Sequence, residues 1–324
     1  MFNILECRTI LVTGGAGFIG SNFVNHFVPL FPNIMFVNLD KLTYAADISN
    51  VKVSTPNYAF EEGDIVDLDY LNSLFDKYKF DAVIHFAAES HVDLSIKNPG
   101  IFVQTNVLGT QNLLSMSLKY GVKRFHHVST DEVYGDLPVD RPEIKFTEST
   151  PLAPNSPYSA SKAGSDLMVR ASIETFGLDA VITRCSNNYG QYQDKTKLIP
   201  KFICNLLNGQ KVPLYAKGDN IRDWLYVQDH CEAIWEVFTR AKPGSIYNIG
   251  GNNEMTNMQI TRKLLELTNT DESYIEYVAD RLGHDMRYAI DASKIKNELG
   301  WEPRYTFEQG IAETVQYYKS SYKI

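Results

Sequence analysis

The fold of this chain is decided by the stretch Thr9-Ile-Leu-Val-Thr-Gly-Gly-Ala-Gly-Phe-Ile-Gly20. Its first half is apolar and β-branched, which is typical of a buried strand, and residues 21–28 continue with apolar side chains on one helix face. A strand, a glycine turn and a helix in this order predict a dinucleotide site, because glycines let a pyrophosphate approach the backbone at the helix N-terminus. The alternative is a tight turn that binds no nucleotide.

An acidic side chain follows the next predicted strand, residues 35–39. Asp40 lies about 20 residues beyond the glycines, where a carboxylate accepts hydrogen bonds from the adenosine ribose, which favours NAD over NADP. Lys41 leaves NADP open, since a cation there could contact a 2′-phosphate. Asp64, after a short strand, could contact the adenine or cap the helix that begins near Leu68.

Strands and helices alternate along the chain. Residues 81–86 and 125–128 are strand-like, and residues 101–120 between them are helix-like. This alternation predicts an α/β fold with a Rossmann-type, doubly wound parallel sheet. Farther on, residues 198–207 predict an amphipathic helix, and residues 245–249 predict a strand that returns to the main sheet.

The chain length allows two domains. We expect an NAD-binding Rossmann domain of residues 1–189 plus about 222–250. A smaller, interleaved C-terminal domain of about 190–221 plus 251–324 should hold the substrate.

The composition is that of a soluble globular protein. The 324 residues are 44% apolar and 22% charged, with a formal net charge of -8. A net-acidic chain favours neither nucleic acid nor an anionic membrane surface as a partner. No apolar run approaches the roughly 18 residues of a membrane span, and no leader-like segment begins the chain. The cysteines fit no zinc spacing, so we expect reduced thiols, no metal and a cytoplasmic protein.

A hydroxyl and two adjacent carboxyl groups follow the strand that runs to Val128. Thr130, Asp131 and Glu132 belong to the stretch Val-Ser-Thr-Asp-Glu-Val-Tyr-Gly of residues 128–135. Ligands bind at the carboxyl ends of strands in an open α/β sheet, so these side chains are candidates for chemistry. The alternative is a capped strand-to-helix turn, which Ser, Thr and Asp also favour.

Tyr158 and Lys162 follow a proline-rich loop over residues 136–157. Their spacing places them on one face of a helix that begins near Tyr158. An ammonium beside a phenol favours the phenolate and should lower the tyrosine pKa from about 10 toward neutrality. The pair therefore predicts a general base.

These motifs together resemble the extended short-chain dehydrogenase/reductase superfamily and, within it, the nucleoside-diphosphate-glucose 4,6-dehydratases. The resemblance covers nearly the whole chain. Its motifs are Thr-Gly-Gly-Ala-Gly-Phe-Ile-Gly (13–20), Asp-Lys-Leu-Thr-Tyr (40–44), Ala-Ala-Glu-Ser-His-Val-Asp (87–93), Ser-Thr-Asp-Glu-Val-Tyr-Gly (129–135), Pro-Tyr-Ser-Ala-Ser-Lys (157–162), Arg-Cys-Ser-Asn-Asn-Tyr-Gly (184–190), Arg-Asp-Trp-Leu-Tyr-Val (222–227), Tyr-Asn-Ile-Gly-Gly (247–251) and Asp-Arg-Leu-Gly-His-Asp (280–285). The Thr-Asp-Glu triplet distinguishes these dehydratases from sister epimerases and decarboxylases.

The resemblance implies a role for each matching residue. The NAD site would comprise Gly14, Gly17, Phe18, Ile19, Gly20, Asp40, Lys41, Leu42, Thr43, Asp64, Ile65, Ala87, Ala88, Thr105, Tyr158, Lys162 and Asn188. The sugar nucleotide would be held by Ser90, Thr130, Asn187, Lys197, Leu198, Pro213, Tyr215, Arg222, Asn257, Arg281 and His284. Arg222 and Arg281 are the candidates for the diphosphate, against the alternative of surface salt bridges.

The implied reaction also assigns the catalytic groups. Tyr158, tuned by Lys162, would take the O4 proton of a nucleotide-linked glucose while Thr130 fixes O4. Glu132 would take the C5 proton, and a protonated Asp131 would help the C6 hydroxyl leave as water. Adjacent carboxyls whose pKa values are pushed apart can divide such work. NAD ends as it began and should stay bound.

The chain departs from the family pattern in four places. Leu94 occupies a position where the family usually has Arg, and Gln191 a position where Pro is common. Residues 194–197 and 216–217 also differ from the family pattern. The last three departures leave thymine and uracil both open as the base of the substrate.

Two alternatives to the dehydratase stay open. One is an NAD-dependent nucleotide-sugar 4-epimerase, in which the two carboxyls would be idle. The other is a non-catalytic NAD-binding scaffold, which the Tyr158 and Lys162 pair disfavours. Family members form homodimers through helices that correspond here to about 101–119 and 158–175, in a four-helix interface.

Overall fold

The computed structural model describes residues 2–280 and 284–321. Its strands are β1 Thr9–Thr13, β2 Met35–Asp40, β3 Tyr58–Glu62, β4 Ala82–His85, β5 Arg124–Thr130, β6 Ala180–Cys185, β7 Asn187–Tyr189, β8 Val212–Tyr215, β9 Ile221–Tyr226, β10 Ile246–Ile249, β11 Glu254–Thr256 and β12 Ile275–Val278. Its helices are α1 Phe18–Leu30, α2 Leu68–Tyr78, α3 Val92–Lys97, α4 Pro99–Phe102, α5 Thr110–Tyr120, α6 Pro157–Phe176, α7 Leu198–Leu207, α8 Val227–Arg240, α9 Asn257–Thr268, α10 Ser293–Leu299 and α11 Phe307–Ser321. A π-helical segment, Val103–Gly109, joins α4 to α5.

Seven strands form the central sheet in the order β10-β6-β5-β4-β1-β2-β3. Every neighbouring pair in this sheet is parallel. The chain begins in the middle at β1, winds outward to β3, and then crosses to the other side of β1 with β4. The predicted doubly wound α/β sheet is therefore confirmed. The strand order reverses beside β1, because β2 and β4 lie on opposite sides of it. This reversal opens a crevice at the carboxyl ends of β1 and β4.

Helices cover both faces of the central sheet. On one face α1 packs against α8, and side chains such as Phe27 and Trp235 join a core beneath β1 and β4. On the other face α2, α5 and α6 bury side chains such as Leu71 and Leu113. Parallel strands need apolar cover on both faces, which explains the short apolar runs in the sequences of β1 and β4.

The C-terminal part adds two small sheets with their own core. β11, β9 and β7 form one sheet, β12 pairs with β8, and α7, α9 and α11 pack around them. The predicted amphipathic helix is confirmed over Leu198–Leu207, and β10 pairs with β6 of the central sheet as expected. Residues 221–226, which we assigned largely to the NAD-binding domain, pair with β7 and β11. The division into two domains stays a prediction.

Two details differ from the sequence-based expectations. The helix expected over residues 101–120 is interrupted by the π-helical segment Val103–Gly109. Helix α2 is capped by Asp67, whose carboxylate accepts a hydrogen bond from the amide of Tyr70 at 2.9 Å. The alternative role of Asp64 as this cap is therefore wrong, because Asp64 lies too far ahead of the first helical turn.

Some features concern the molecule as a whole. No helix among the described residues is long and apolar enough to cross a membrane. Within residues 2–280 and 284–321, no three His, Cys, Asp or Glu side chains come together as metal ligands would. All four cysteines are buried with free thiols.

Candidate active site

The glycine turn between β1 and α1 lies against the end of β4. Gly14 has a φ of 73°, and a Cβ there would meet the backbone nitrogen of Ala87 at 2.6 Å, so only glycine fits. Gly17 is the N-cap of α1 and contributes no side-chain cap. The first amides of α1 therefore remain available at the crevice, which is what a pyrophosphate needs.

One cavity occupies this crevice and collects most of the predicted site residues. They come from the glycine turn and the start of α1, and from the carboxyl ends of β2 and β5 with the chain after β3 and β4. The π-helical segment, α6 and β7 supply most of the others. The predicted residues that line it are Gly14, Gly17, Phe18, Ile19, Gly20, Asp40, Lys41, Thr43, Asp64, Ile65, Ala87, Ala88, Ser90, Thr105, Thr130, Asp131, Glu132, Tyr158, Lys162, Asn187, Asn188 and Lys197. Residues far apart in sequence thus share one site, as the resemblance implied.

Other predicted contacts lie outside the lining of this cavity. They are Leu42, Leu198, Pro213, Tyr215, Arg222, Asn257 and His284. The ring of Tyr215 lies 5.9 Å from that of His284, and Arg222 donates a hydrogen bond to the backbone carbonyl of Asp285 at 2.8 Å. The structure therefore places these three in a second group at residues 284–285. Arg281 lies outside the described residues.

The buried carboxylate of Asp40 lies at the end of β2. It accepts hydrogen bonds from the amides of Ala16 and Leu42, each at 2.9 Å, so it also holds the glycine turn in place. Burial raises its pKa, and these amide hydrogen bonds oppose that shift. Lys41 places its ammonium 2.6 Å from a carboxylate oxygen of Asp64. The ammonium of Lys41, which we considered as a contact for the 2′-phosphate of NADP, is thus already paired with an acidic side chain.

Asp131 is the most deeply buried acid of the site. Burial raises its pKa well above the usual range, and the carboxyls of Glu132 and Asp223 raise it further. One of its oxygens lies 3.3 Å from the hydroxyl of Thr130, while the other has no hydrogen-bond partner among the described residues. This setting favours the protonated carboxyl, which can donate its proton to a ligand in the cavity.

Tyr158 and Lys162 lie on one face of α6, as predicted. The Lys162 ammonium donates a hydrogen bond to the carbonyl of Val128 at 2.9 Å, and burial lowers its pKa to about 8. Burial raises the pKa of Tyr158 well above its usual value, and Glu132 adds to this rise, while a hydrogen bond with Thr130 opposes it. The expected lowering of this pKa is therefore wrong for the protein by itself, because burial beside the carboxyl of Glu132 raises it.

The start of α6 is fixed by a reciprocal cap. Ser156 accepts a hydrogen bond from the amide of Ser159, and the Ser159 hydroxyl accepts one from the amide of Ser156. Pro157 occupies the first helical position, where its missing N–H costs nothing. This cap sets the direction of the first turn and so presents Tyr158 to the ends of β5 and β6.

Sequence reasoning gave no role to four groups at or near the site. Tyr44, Glu89 and Cys185 line the cavity, and the buried carboxylate of Asp223 raises the pKa of Asp131. All four had a signal in the sequence, because each of them stands inside a quoted motif. An acid inside a buried strand, as Asp223 is in β9, requires hydrogen-bond partners.

The comparisons with known proteins agree with this geometry. A family model described as GDP-mannose 4,6 dehydratase matches residues 11–314. The dTDP-glucose 4,6-dehydratase of Salmonella typhimurium is 50% identical over an alignment that covers 95% of this chain and 92% of that protein. The chain belongs to this family of nucleotide-sugar 4,6-dehydratases. The resemblance seen in the sequence motifs is thereby confirmed.

Solved structures of this family and of its sisters share the fold. The dTDP-glucose 4,6-dehydratase of Streptomyces venezuelae, solved with NAD bound, is 48% identical with a TM-score of 0.93, over 97% of each chain. The UDP-glucose 4-epimerase of Thermotoga maritima is 30% identical with a TM-score of 0.89, over 97% of this chain and 99% of that one. Because dehydratase and epimerase share the fold, the fold cannot distinguish the two reactions, and the site residues must.

Proposed function

We propose that this protein removes water from dTDP-glucose to give dTDP-4-keto-6-deoxyglucose, with NAD as a cofactor that each turnover restores. The observation that carries the proposal is that one cavity holds both the Tyr158–Lys162 pair and the Asp131–Glu132 pair. The first pair serves oxidation at C4, and the second serves elimination across C5 and C6. An epimerase would use only the first.

The residues present fit NAD in each of its parts. The glycine turn and the N-terminus of α1 suit the pyrophosphate, and Asp40 suits the adenosine ribose. Ala87 and Ala88 leave room beside the backbone for the nicotinamide end. When bound, NAD supplies a reversible hydride acceptor that takes a hydride from C4 and returns it to C6. The Streptomyces venezuelae relative with NAD bound supports the same cofactor here.

The first task of the protein is to remove the O4 proton. Tyr158 takes this proton as a phenolate, a form that burial disfavours in the protein by itself, and the hydroxyl of Thr130 orients O4 beside it. Lys162 lies on the same helix face with its ammonium held by the Val128 carbonyl at 2.9 Å, so its charge favours the phenolate as the proton leaves. General-base catalysis of this kind contributes about a hundredfold or more to the rate.

The second task is elimination of water. A C4 ketone makes the C5 proton acidic, and Glu132 takes it as the base. Asp131, whose pKa burial raises, donates its proton to the departing C6 hydroxyl, which leaves as water. The raised pKa of Asp131 favours its acid form, which suits it to donate a proton while the adjacent Glu132 acts as the base.

The sugar and nucleotide are held at the mouth of the same cavity. Asn187 lines it, and its buried amide oxygen has no hydrogen-bond partner among the described residues, so it can accept a bond from a sugar hydroxyl. Lys197 and Ser90 line it as well, with the Lys197 ammonium 2.8 Å from the Ser90 carbonyl. The group at Tyr215, Arg222 and His284 would then receive the nucleotide.

A product analysis tests the function. The purified protein is given dTDP-glucose and UDP-glucose in separate reactions, and the products are examined by mass spectrometry. We expect loss of one water from dTDP-glucose, at a higher rate than from UDP-glucose. A product of unchanged mass that contains galactose would instead establish a 4-epimerase. Unchanged glucose with both substrates would support a non-catalytic NAD-binding protein.

We further infer a cytoplasmic homodimer. The faces of the helical stretch 99–120 and of α6 expose apolar side chains, with Val103 at 55%, Leu108 at 46% and Leu167 at 53% exposure. Single exposed leucines are common, but a set on two adjacent helices is typical of an interface. Buried free cysteines are consistent with a reducing compartment.

A further inference from the structure

The two chemistries of the proposed reaction are carried by separate elements. The acid and base of elimination lie on a 3-10 turn of residues Asp131–Tyr134, here called the elimination turn. The base of oxidation lies on α6, here called the base helix. Both must act on neighbouring carbons of one sugar, so their relative position decides the rate of the second step. Gly135 follows the turn with a φ of 94°, a conformation that favours glycine.

A buried arginine joins the two elements beneath the cavity. Arg184, on β6, has its Nε 2.8 Å from a carboxylate oxygen of Asp166, which lies on the base helix one turn after Lys162. Its Nη1 donates a hydrogen bond to the hydroxyl of Tyr134, in the elimination turn, at 2.9 Å. The planar guanidinium has its donors in a fixed fork, so this single group fixes the distance between its two partners.

The chain of contacts from Asp166 through Arg184 to Tyr134, here called the link, is held at each end by a further partner. The Tyr134 hydroxyl donates to the side-chain oxygen of Asn248 on β10 at 2.7 Å. Asp166 also faces His127 of β5, whose Nε2 lies 3.3 Å from its carboxylate. A phenol that both accepts from a cation and donates to an amide has little freedom to rotate. The link therefore spans β5, β6 and β10. It restricts the elimination turn to one position.

The link cannot act by touching substrate. Asp166, Arg184 and Tyr134 are buried, and none of them lines the cavity. Nor does stability explain it well, since a buried ion pair often contributes less than well-packed apolar side chains would. We propose that Arg184 and Tyr134 are positioning residues that hold the elimination turn in register with the base helix. This inference rests on the proposed dehydratase function.

The test removes one atom of the link. Tyr134→Phe keeps the ring, which stacks on Phe146 at 5.0 Å between centroids, but loses the hydroxyl. We expect dehydration of dTDP-glucose to slow roughly tenfold, as the loss of a hydrogen bond to a charged group implies. Oxidation at C4 should change less than twofold. Absorbance of reduced nicotinamide should therefore accumulate during turnover, which a general loss of folded protein would not produce.

A matched control is Tyr247→Phe. Tyr247 is a buried tyrosine on β10 whose hydroxyl donates to Glu298 at 2.7 Å, away from both catalytic elements. It should keep the parental rate and show no accumulation. If Tyr134→Phe behaves like this control, or if oxidation and dehydration slow by the same factor, the positioning role is wrong. A parent protein that releases no water from dTDP-glucose would instead refute the proposed function.

A second variant tests the same link from its centre. Arg184→Lys keeps the positive charge beside Asp166, but one ammonium lacks the fixed fork that reaches both partners. We expect the same accumulation of reduced nicotinamide, at a melting temperature close to that of the parent. Parental kinetics in folded Arg184→Lys protein would contradict the proposal independently of Tyr134→Phe.

Discussion

At the scale of single residues, burial decides which carboxyl of the site is the acid. Asp131 and Glu132 are adjacent in sequence, but burial together with the charges of Glu132 and Asp223 raises the pKa of Asp131. The aspartate therefore keeps its proton as pH rises through the normal range of carboxyl groups. It loses that proton, and with it the capacity to donate, only when pH rises through the raised pKa.

The variant Asp131→Asn tests this assignment. The shape of the side chain is kept while the donated proton is lost, so dehydration should slow by roughly a hundredfold while oxidation at C4 continues. The parental rate should fall as pH rises through the raised pKa of Asp131, and this fall should be absent in the variant. The measurements are rates of water loss across pH and absorbance of reduced nicotinamide. Glu132→Gln should also slow water loss, and parental rates in both variants would refute the division of work.

The variant Tyr158→Phe tests the base of the first step. It removes the hydroxyl that takes the O4 proton but keeps the ring, so turnover should fall at least roughly a hundredfold. Binding of dTDP-glucose, measured by calorimetry, should change little. A variant within a few fold of the parental rate would show that another group is the base.

Residue-level prediction from sequence succeeded where the signal is local. The glycines and Asp40 could be found because their spacing is set within one strand-turn-helix unit. The direction in which the pKa of Tyr158 shifts could not be predicted, because it depends on burial and on Glu132 rather than on the neighbouring lysine alone. Asp223 was missed as a neighbour of Asp131 for the same reason, because only the tertiary fold brings them near each other.

At the scale of elements, the turn from β1 to α1 is defined by contact as well as by conformation. Gly14 and Gly121 both have positive φ angles, of 73° and 70°. A Cβ on Gly14 would meet the Ala87 backbone at 2.6 Å, whereas one on Gly121 would meet nothing within 4 Å. The first glycine therefore sets how closely the turn approaches β4, and the second only ends α5.

Paired alanine variants separate these two effects. Gly121→Ala should lower the free energy of unfolding by about 1 kcal/mol through backbone strain alone and should bind NAD like the parent. Gly14→Ala should cause the same backbone strain and should also displace the turn from β4, so it should weaken NAD binding at least roughly tenfold. Thermal melting and NAD titration by fluorescence measure the two quantities. Equal NAD affinities in the two variants would show that the close approach is unimportant.

Element-level prediction depended on regular periodicity. The amphipathic pattern gave α7 with its bounds intact. Strand-like runs predicted six strands of the central sheet, but β6 at Ala180–Cys185 was not predicted. The π-helical segment Val103–Gly109 was not predicted, because its hydrogen-bond shift leaves the apolar pattern almost unchanged. The elimination turn was located, but its link to Arg184 requires partners from distant strands.

At the scale of the whole molecule, the exposed apolar face on α6 and on the helical stretch before it predicts self-association. Leu167 is 53% exposed in the middle of α6, on the face of the sheet that carries α5. Leu30 is 59% exposed at the end of α1, on the opposite face of the sheet. The two leucines thus provide a matched pair, similar in exposure but different in location.

Leu167→Glu and Leu30→Glu together test the homodimer. A charge at the centre of a four-helix interface would be buried without a partner, so Leu167→Glu should shift the protein from dimer to monomer. Leu30→Glu should leave the dimer intact, because its side chain would stay in solvent. Light scattering coupled to gel filtration measures the mass of each variant. A dimeric Leu167→Glu protein, or a monomeric parent, would contradict the proposed interface, and a monomeric Leu30→Glu protein would move it to the other face of the sheet.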